Sequence, residues 1–268
     1  MYELLLFRAT GKRMRRTPTI QDRLALREKP SGAAIMFQTW GDLLFLHWEY
    51  DADEIQRTLP PGLYVDTFAG RAFLGVIPFF MKNVRPSFLP SIPGLSNFLE
   101  LNVRTYVYDD TGKPGVWFYS LDCNLPLAVW GARKFFFLPY FHAEMAARVE
   151  TGTVNYTSRR QGTLEGGTTQ IHYAPGAATS EAHPESLEFF LIERYVLFTF
   201  APARKALYSV RVYHTPYRLA SARLEEYDSA VLGLDGFSVA ANAPAHVVFS
   251  PGVDVSIYGL ERCGDARG

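Results

Sequence analysis

Cysteine is scarce, with two in 268 residues, and Cys123 and Cys263 stand far apart with none of the paired spacing of a metal or redox motif. This excludes a disulfide-stapled secreted scaffold and makes reduced thiols in a cytoplasmic setting the expectation. Neither sign of charge is in excess: Lys plus Arg and Asp plus Glu are 27 each, for a formal net charge of +0. No overall field draws the chain to nucleic acid or to an acidic membrane, so neither partner is expected. Long hydrophobic runs are missing as well; no stretch approaches the ~20 apolar residues of a membrane helix. The start, Met1-Tyr-Glu-Leu-Leu-Leu-Phe-Arg8, puts an acid before a short apolar run and a basic tract after it, the wrong order for a signal peptide. There is no Gly-x-Ser-x-Gly elbow, phosphate loop or dinucleotide fingerprint, and the six histidines lack metal-ligand spacing. Serine hydrolase, kinase and Rossmann readings fall away, and neither a metal nor a cofactor is expected.

Aromatic residues, by contrast, are plentiful at 15% (20 Phe, 15 Tyr, 4 Trp), within a hydrophobic share of 48%. That favours strands and bulky-walled pockets over helical bundles. A chain of this length buries roughly three quarters of its unfolded surface, enough for one large core. Residues 1–35 differ from the rest: Gly11-Lys-Arg-Met-Arg-Arg16 is basic and Thr17 to Pro30 polar, which predicts an arm with a short helix over Ile20 to Arg27. Strong patterning begins at Met36, and no repeat or composition shift divides the chain beyond that point. The prediction is one mainly β (α+β) domain over 36–258, with roughly a dozen strands and two or three short helices, and a tail at 259–268.

Strands are predicted over Asp42 to Tyr50, Leu63 to Asp66 and Arg71 to Met81, with a helix over Asp51 to Leu59 and a turn at Phe68 to Gly70. Arg85 to Ser96, rich in proline and serine, is a loop long enough to form a lid or rim. A hairpin comes next, Glu100 to Tyr108 with Gly115 to Cys123, then a helix capped by Asn124 and ending before Leu138, and a strand from Tyr140 to Glu150. Beyond it the pattern gives a hairpin-rich stretch to Tyr173, a helix over Pro184 to Tyr195 and strands over Val196 to Phe200 and Leu207 to His214. Shorter strand pieces lie over Ala245 to Phe249 and Val253 to Tyr258.

The strand from Glu100 is polar in an unusual way. Alternation puts Glu100, Asn102, Arg104, Tyr106 and Tyr108 on one face and Leu101, Val103, Thr105 and Val107 on the other. Facing a cavity, the acid, amide, guanidinium and phenols would form a polar wall for a small ligand.

Several motifs carry a resemblance. Gln38-x-Trp40, Phe45-Leu-His47-Trp48, Leu59-Pro-Pro-Gly-Leu63, Asp66-x-Phe68-x-Gly70, Glu100-Leu-Asn-Val-Arg-Thr-Tyr-Val107, Gly115-Val-Trp-Phe-x-Ser-Leu121 and Leu138-Pro-Tyr140 together resemble the YqjF-like family of uncharacterised bacterial proteins. That family is distantly similar to acetoacetate decarboxylase, which implies a closed antiparallel β-barrel around a central pocket. The decarboxylase motif has an arginine, five residues, a proline and two lysines; here Arg133 and Pro139 are followed by Tyr140 and Phe141. The lysine that forms a Schiff base in such enzymes is therefore missing, and a phenol cannot form an imine, so active acetoacetate decarboxylation is not expected. The resemblance also places the pocket acid near Glu100 and the substrate-binding arginine near Gly41.

These readings combine into a pocket for a small organic acid or carbonyl compound. Acid and base chemistry falls to Glu100, Tyr140 and His142, and ligand contacts to Asn102, Arg104, Tyr106, His47 and Arg133. Bland readings stand beside several of them. His47, next to Trp48 in an apolar strand, is a core histidine first; Arg133 braces its helix; His214, Arg194 and Tyr195 are structural; and Lys134 points elsewhere. The alternative is a non-catalytic scaffold or interaction protein in which Glu100 and Arg104 form a buried ion pair that only locks strands together. Self-association is left open.

Overall fold

The protein, a computed structural model, is described over residues 16–162, 167–228, 230–238 and 243–263. The apolar run at 1–8, the basic tract at 11–15 and the end of the tail at 264–268 lie outside the described residues.

Helix α1 (Ile20–Ala25) is held by a capping box: the Thr19 hydroxyl accepts from the Asp22 amide while the Asp22 carboxylate accepts from the Thr19 amide. So short a helix does not persist alone. It is clamped by Arg23, which donates twice to Asp66 at 2.8 Å, and by Arg27, 3.4 Å from Glu193. The arm thus lies on the body of the protein.

Strand β1 (Met36–Tyr50), helix α2 (Ala52–Thr58), strand β2 (Leu63–Val65) and strand β3 (Ala72–Pro86) come next. Asp51 caps α2 and Ile55 is its buried residue, as its spacing predicts. Strand β4 (Phe98–Asp109) and strand β5 (Pro114–Cys123) form the predicted hairpin. Helix α3 (Pro126–Phe136) lacks the predicted cap, because the Asn124 oxygen accepts the Leu99 amide instead. It ends at Phe137, in a left-handed conformation with φ 56.

Strands β6 (Tyr140–Glu150), β7 (Thr153–Arg160) and β8 (Thr169–Pro175) form a meander. Helix α4 (Leu187–Ile192) is shorter than predicted: the Glu193 carboxylate accepts the Tyr195 hydroxyl and the Tyr217 amide, and Arg194 turns to Asp66. Strands β9 (Val196–Ala201) and β10 (Ala206–Tyr213) match the pattern. Strand β11 (Ala220–Tyr227) and helix α5 (Ala230–Leu234) are not predicted by it. The last strand, β12 (His246–Arg262), is continuous where the sequence breaks it at Pro251, because its pairing with β1 skips Pro251 and Asp42. It also runs past residue 258.

The twelve strands of the described residues belong to one sheet, ordered β10-β9-β5-β6-β7-β8-β11-β12-β1-β3-β4-β2, with further pairings β10–β12 and β4–β5. The fold is mainly β with few helices, as predicted, but the sheet is not wholly antiparallel. β5 runs parallel to β6 over Leu121–Cys123 and to β9 over Val116–Trp117. The β5–β6 contact is parallel because α3 carries the chain back before β6 begins. No helix among the described residues is long and apolar enough to cross a membrane.

Alternation along β1, β3 and β4 feeds two cores. Leu43, Phe45, Ile77, Phe79 and Tyr106 face one; Leu44, Leu46, Leu74, Val76, Leu101 and Val103 face the other. Within the first core the register sets Glu100 opposite Phe79, Asn102 opposite Ile77 and Arg104 opposite Gly75.

Candidate ligand site

That first core is not filled. A cavity of about 430 Å³ lies between the sheet, α3 and the loop following β3. Glu100, Asn102, Arg104 and Tyr140 line its buried end, and apolar side chains such as Leu43, Ile77, Phe79 and Leu121 make most of its wall. The loop predicted as lid or rim supplies Leu89, Pro90, Ile92 and Leu95 at the mouth, opposite Leu127, Trp130 and Phe135 of α3.

Burial pushes the Glu100 carboxyl up to about 7, against the hydrogen bonds it accepts from Tyr140 and from the Asn102 side chain. The Tyr140 hydroxyl donates to Glu100 Oε2 at 2.6 Å, and burial together with that carboxylate raises its own pKa well above the usual range. Tyr156 fixes the backbone beneath, donating to the Glu100 carbonyl at 2.8 Å. The pair is thus a protonated phenol against an acid poised near neutrality.

Arg104 is 8% exposed and stacks near the Phe45 and Tyr106 rings. Its Nη2 donates to the Leu191 carbonyl at 3.2 Å and its Nε to the Tyr106 hydroxyl at 3.4 Å. Neither partner is an acid, and among the described residues Arg104 forms no ion pair. The buried Glu100–Arg104 pair of the scaffold reading is therefore absent. Four residues along one strand span about 13 Å, and no turn of the chain brings the two heads back together.

His47 and Tyr106 do not line the cavity, contrary to their assignment as ligand contacts; they stand behind Arg104. Arginine only donates, so the Tyr106 oxygen accepts from it and gives its proton to His47 Nε2 at 2.6 Å. His47 then donates from Nδ1 to His246 Nδ1 at 3.0 Å, which leaves the His246 proton on Nε2, 3.9 Å from Glu188. Burial lowers the pKa of both histidines, keeping them neutral. The core reading of His47 describes its surroundings.

His142 and Arg133 are also outside the cavity. β6 pairs with β5 only over Tyr140–His142 before turning onto β7, and the His142 ring meets Gln161 Oε1 at 2.9 Å instead. Arg133 donates to the Tyr140 carbonyl and lies over the Phe141 ring, bracing α3 against β6. At Gly41, Lys82 fills the adjacent space and pairs with Asp42 at 3.0 Å. Gln38 and Trp40 line the cavity, joined by a 2.8 Å bond from the indole, yet were not among the predicted contacts. Their signal was the polar–aromatic alternation at the start of β1.

Residues 37–254 match the profile of DUF2071, described as an uncharacterized conserved protein. The chain belongs to this family. The uncharacterized protein YqjF of Bacillus subtilis (strain 168) is 40% identical to this DUF2071 chain over 215 residues, 80% of this chain and 87% of that protein. Among solved structures, the DUF2071 chain resembles acetoacetate decarboxylase from Legionella pneumophila, with TM-score 0.60, 14% identity, and coverage of 90% of this chain and 92% of that one. It also resembles the enduracididine biosynthesis enzyme MppR, in complex with the condensation product of pyruvate and imidazole 4-carboxaldehyde (0.59, 15%, 88% and 92%). A third is an acetoacetate decarboxylase-like enzyme from Sphingomonas wittichii RW1 (0.60, 14%, 86% and 94%). At these identities the likeness shows the fold alone. No lysine is among the described residues lining the DUF2071 cavity.

Proposed function

We propose that this DUF2071 protein binds a small organic acid or carbonyl compound inside a closed barrel, with Arg104 as the group that holds the ligand's oxygen. The barrel reading is supported by the pairings β10–β12 and β4–β5, which turn the strand order back on itself. The observation that carries the ligand reading is a buried guanidinium at the cavity wall with no described acid beside it. A buried charge of this kind is costly unless something pairs with it, and a carboxylate or a polarised carbonyl supplies that partner. Asn102, in the same wall, has its Oδ1 buried without a hydrogen-bond partner. The complexes of MppR with pyruvate and with its condensation product are of the same ligand class.

Glu100 and Tyr140 form a hydrogen-bonded pair on the same cavity wall, apart from Arg104. With its pKa near neutrality Glu100 serves as either acid or base, and Tyr140 stays a donor. The chemistry this arrangement supports is proton exchange at a part of the ligand away from the oxygen held by Arg104, without an imine.

Calorimetric titration with small carboxylates and ketones tests the reading. Arg104→Met is expected to weaken carboxylate binding by about tenfold or more, the loss of a charge-assisted hydrogen bond, while the variant still folds. Equal binding by both proteins, or none by the wild type, would overturn it. So would borohydride trapping of a ketone on any lysine.

A further inference from the structure

Cavity size and the chemistry of the mouth extend the ligand reading. At ~30 Å³ each, the share of one water in the liquid, the 430 Å³ holds about 14 non-hydrogen atoms. A ligand of pyruvate or acetoacetate size fills about half of that, and the remainder would be water against mainly apolar walls. Glu100, Asn102, Arg104 and Tyr140 are the polar groups of the buried end; toward the loop Arg85 and Ser96 also line the cavity, among side chains that are mainly aliphatic and aromatic.

The mouth continues the same surface into solvent. Leu89, Ile92 and Leu95 on the loop are 42–46% exposed, and Leu127, Trp130 and Phe135 on α3 are 55–59% exposed. Isolated exposed apolar residues need no explanation, but six converging on one opening form a patch of the kind that marks a binding groove. Trp130 and Phe135 meet edge to face at 5.6 Å, so the helix side of the mouth is preformed.

We infer that the ligand is an amphiphile: an acid or carbonyl head at Arg104 with an apolar tail of about ten carbons, or an aromatic group of similar bulk, running out between the loop and α3. The inference rests on the proposed function above and adds the substrate class. The tail is the occupant of the mouth because the mouth is continuous with the cavity that holds the head.

Titration of the full chain with straight-chain carboxylates from acetate to dodecanoate, each below its micelle concentration, tests it. Affinity is expected to rise about threefold to fourfold with each added methylene and to level off near ten carbons. In Arg104→Met it should be weakened at every length. Acetate or pyruvate binding as tightly as decanoate overturns the tail and leaves the parent reading standing. No binding at any length overturns the parent reading. Length-dependent binding that Arg104→Met does not weaken also overturns the inference, because the head is then not at Arg104. Sedimentation distinguishes one further outcome: a dimer that decanoate fails to dissociate, and that Trp130→Ser does dissociate, assigns the mouth to a second copy of the chain instead.

Discussion

Glu100 keeps its proton well above the usual carboxylate range because its charged form has lost water and gained only two neutral donors, Tyr140 and Asn102. Its folded pKa of about 7 exceeds its unfolded value of 4.5, so between these pH values the unfolded chain releases a proton that the folded chain keeps. Stability from this group is therefore full below about pH 4.5, falls as pH rises toward 7, and is level above it. The fall is expected to be about 3 kcal/mol and to vanish in Glu100→Gln, as measured by urea denaturation of both proteins from about pH 4.5 to 8. Parallel curves would show that Glu100 ionises normally. The same ionisation sets a carboxylate ligand against a new anion, so its Kd should rise as pH passes upward through about 7 in the wild type only. The alternation from Glu100 to Arg104 was legible in the sequence because a strand has period two. What lies in front of each side chain was not: Arg104 meets a cavity, while Tyr106, two residues on, meets His47.

At the scale of elements, α1 shows a helix whose stability comes from its partners. Asp66 receives Arg23 from α1 and Arg194 from the end of α4, both largely buried, and burial lowers the Arg194 pKa to about 10. Asp66→Asn leaves two cations without their acid and is expected to cost about 3–5 kcal/mol, read as a lower midpoint of thermal unfolding by circular dichroism. An unchanged midpoint would mean that solvent reaches the cluster. The polar stretch from Thr17 to Pro30 suggested a short helix in the sequence, but Asp66, 43 residues from Arg23, carried no local signal of the clamp. β12 is the opposite case. Pro251 and Gly252 read as a break, yet the strand continues, since Gly252 has φ 130 and a Cβ there would lie 2.2 Å from the Trp40 carbonyl oxygen. Only the position of β1 makes glycine necessary at that point.

For the whole molecule, β12 ties distant parts of the sheet together: it pairs with β1, β10 and β11. The arm is tied to it as well, through the Ile35 amide and the Ile257 carbonyl at 2.8 Å. Removing residues 1–35 should lower the unfolding midpoint, and by less than Asp66→Asn does. The truncation takes Arg23 away with α1 and leaves Asp66 and Arg194 as a balanced pair. A truncated chain that melts with the full one would make the arm a mere appendage. The parallel contacts of β5 were not legible either, because neither β6 nor β9 differs in composition from a strand that pairs antiparallel.

By itself the sequence determined the class of fold, the polar face of β4 and the absence of an imine-forming lysine after Pro139. These follow from local periodicity, motif spacing and side-chain chemistry, which neighbours along the chain already carry. Tertiary structure alone decided that Glu100 and Arg104 stand apart instead of neutralising each other, that His47, Tyr106, Arg133 and His142 lie outside the cavity, and that six exposed apolar side chains converge on the mouth. Each depends on which distant strand or helix lies opposite, and so on the burial that raises the Glu100 pKa and leaves the Arg104 guanidinium without an acid among the described residues.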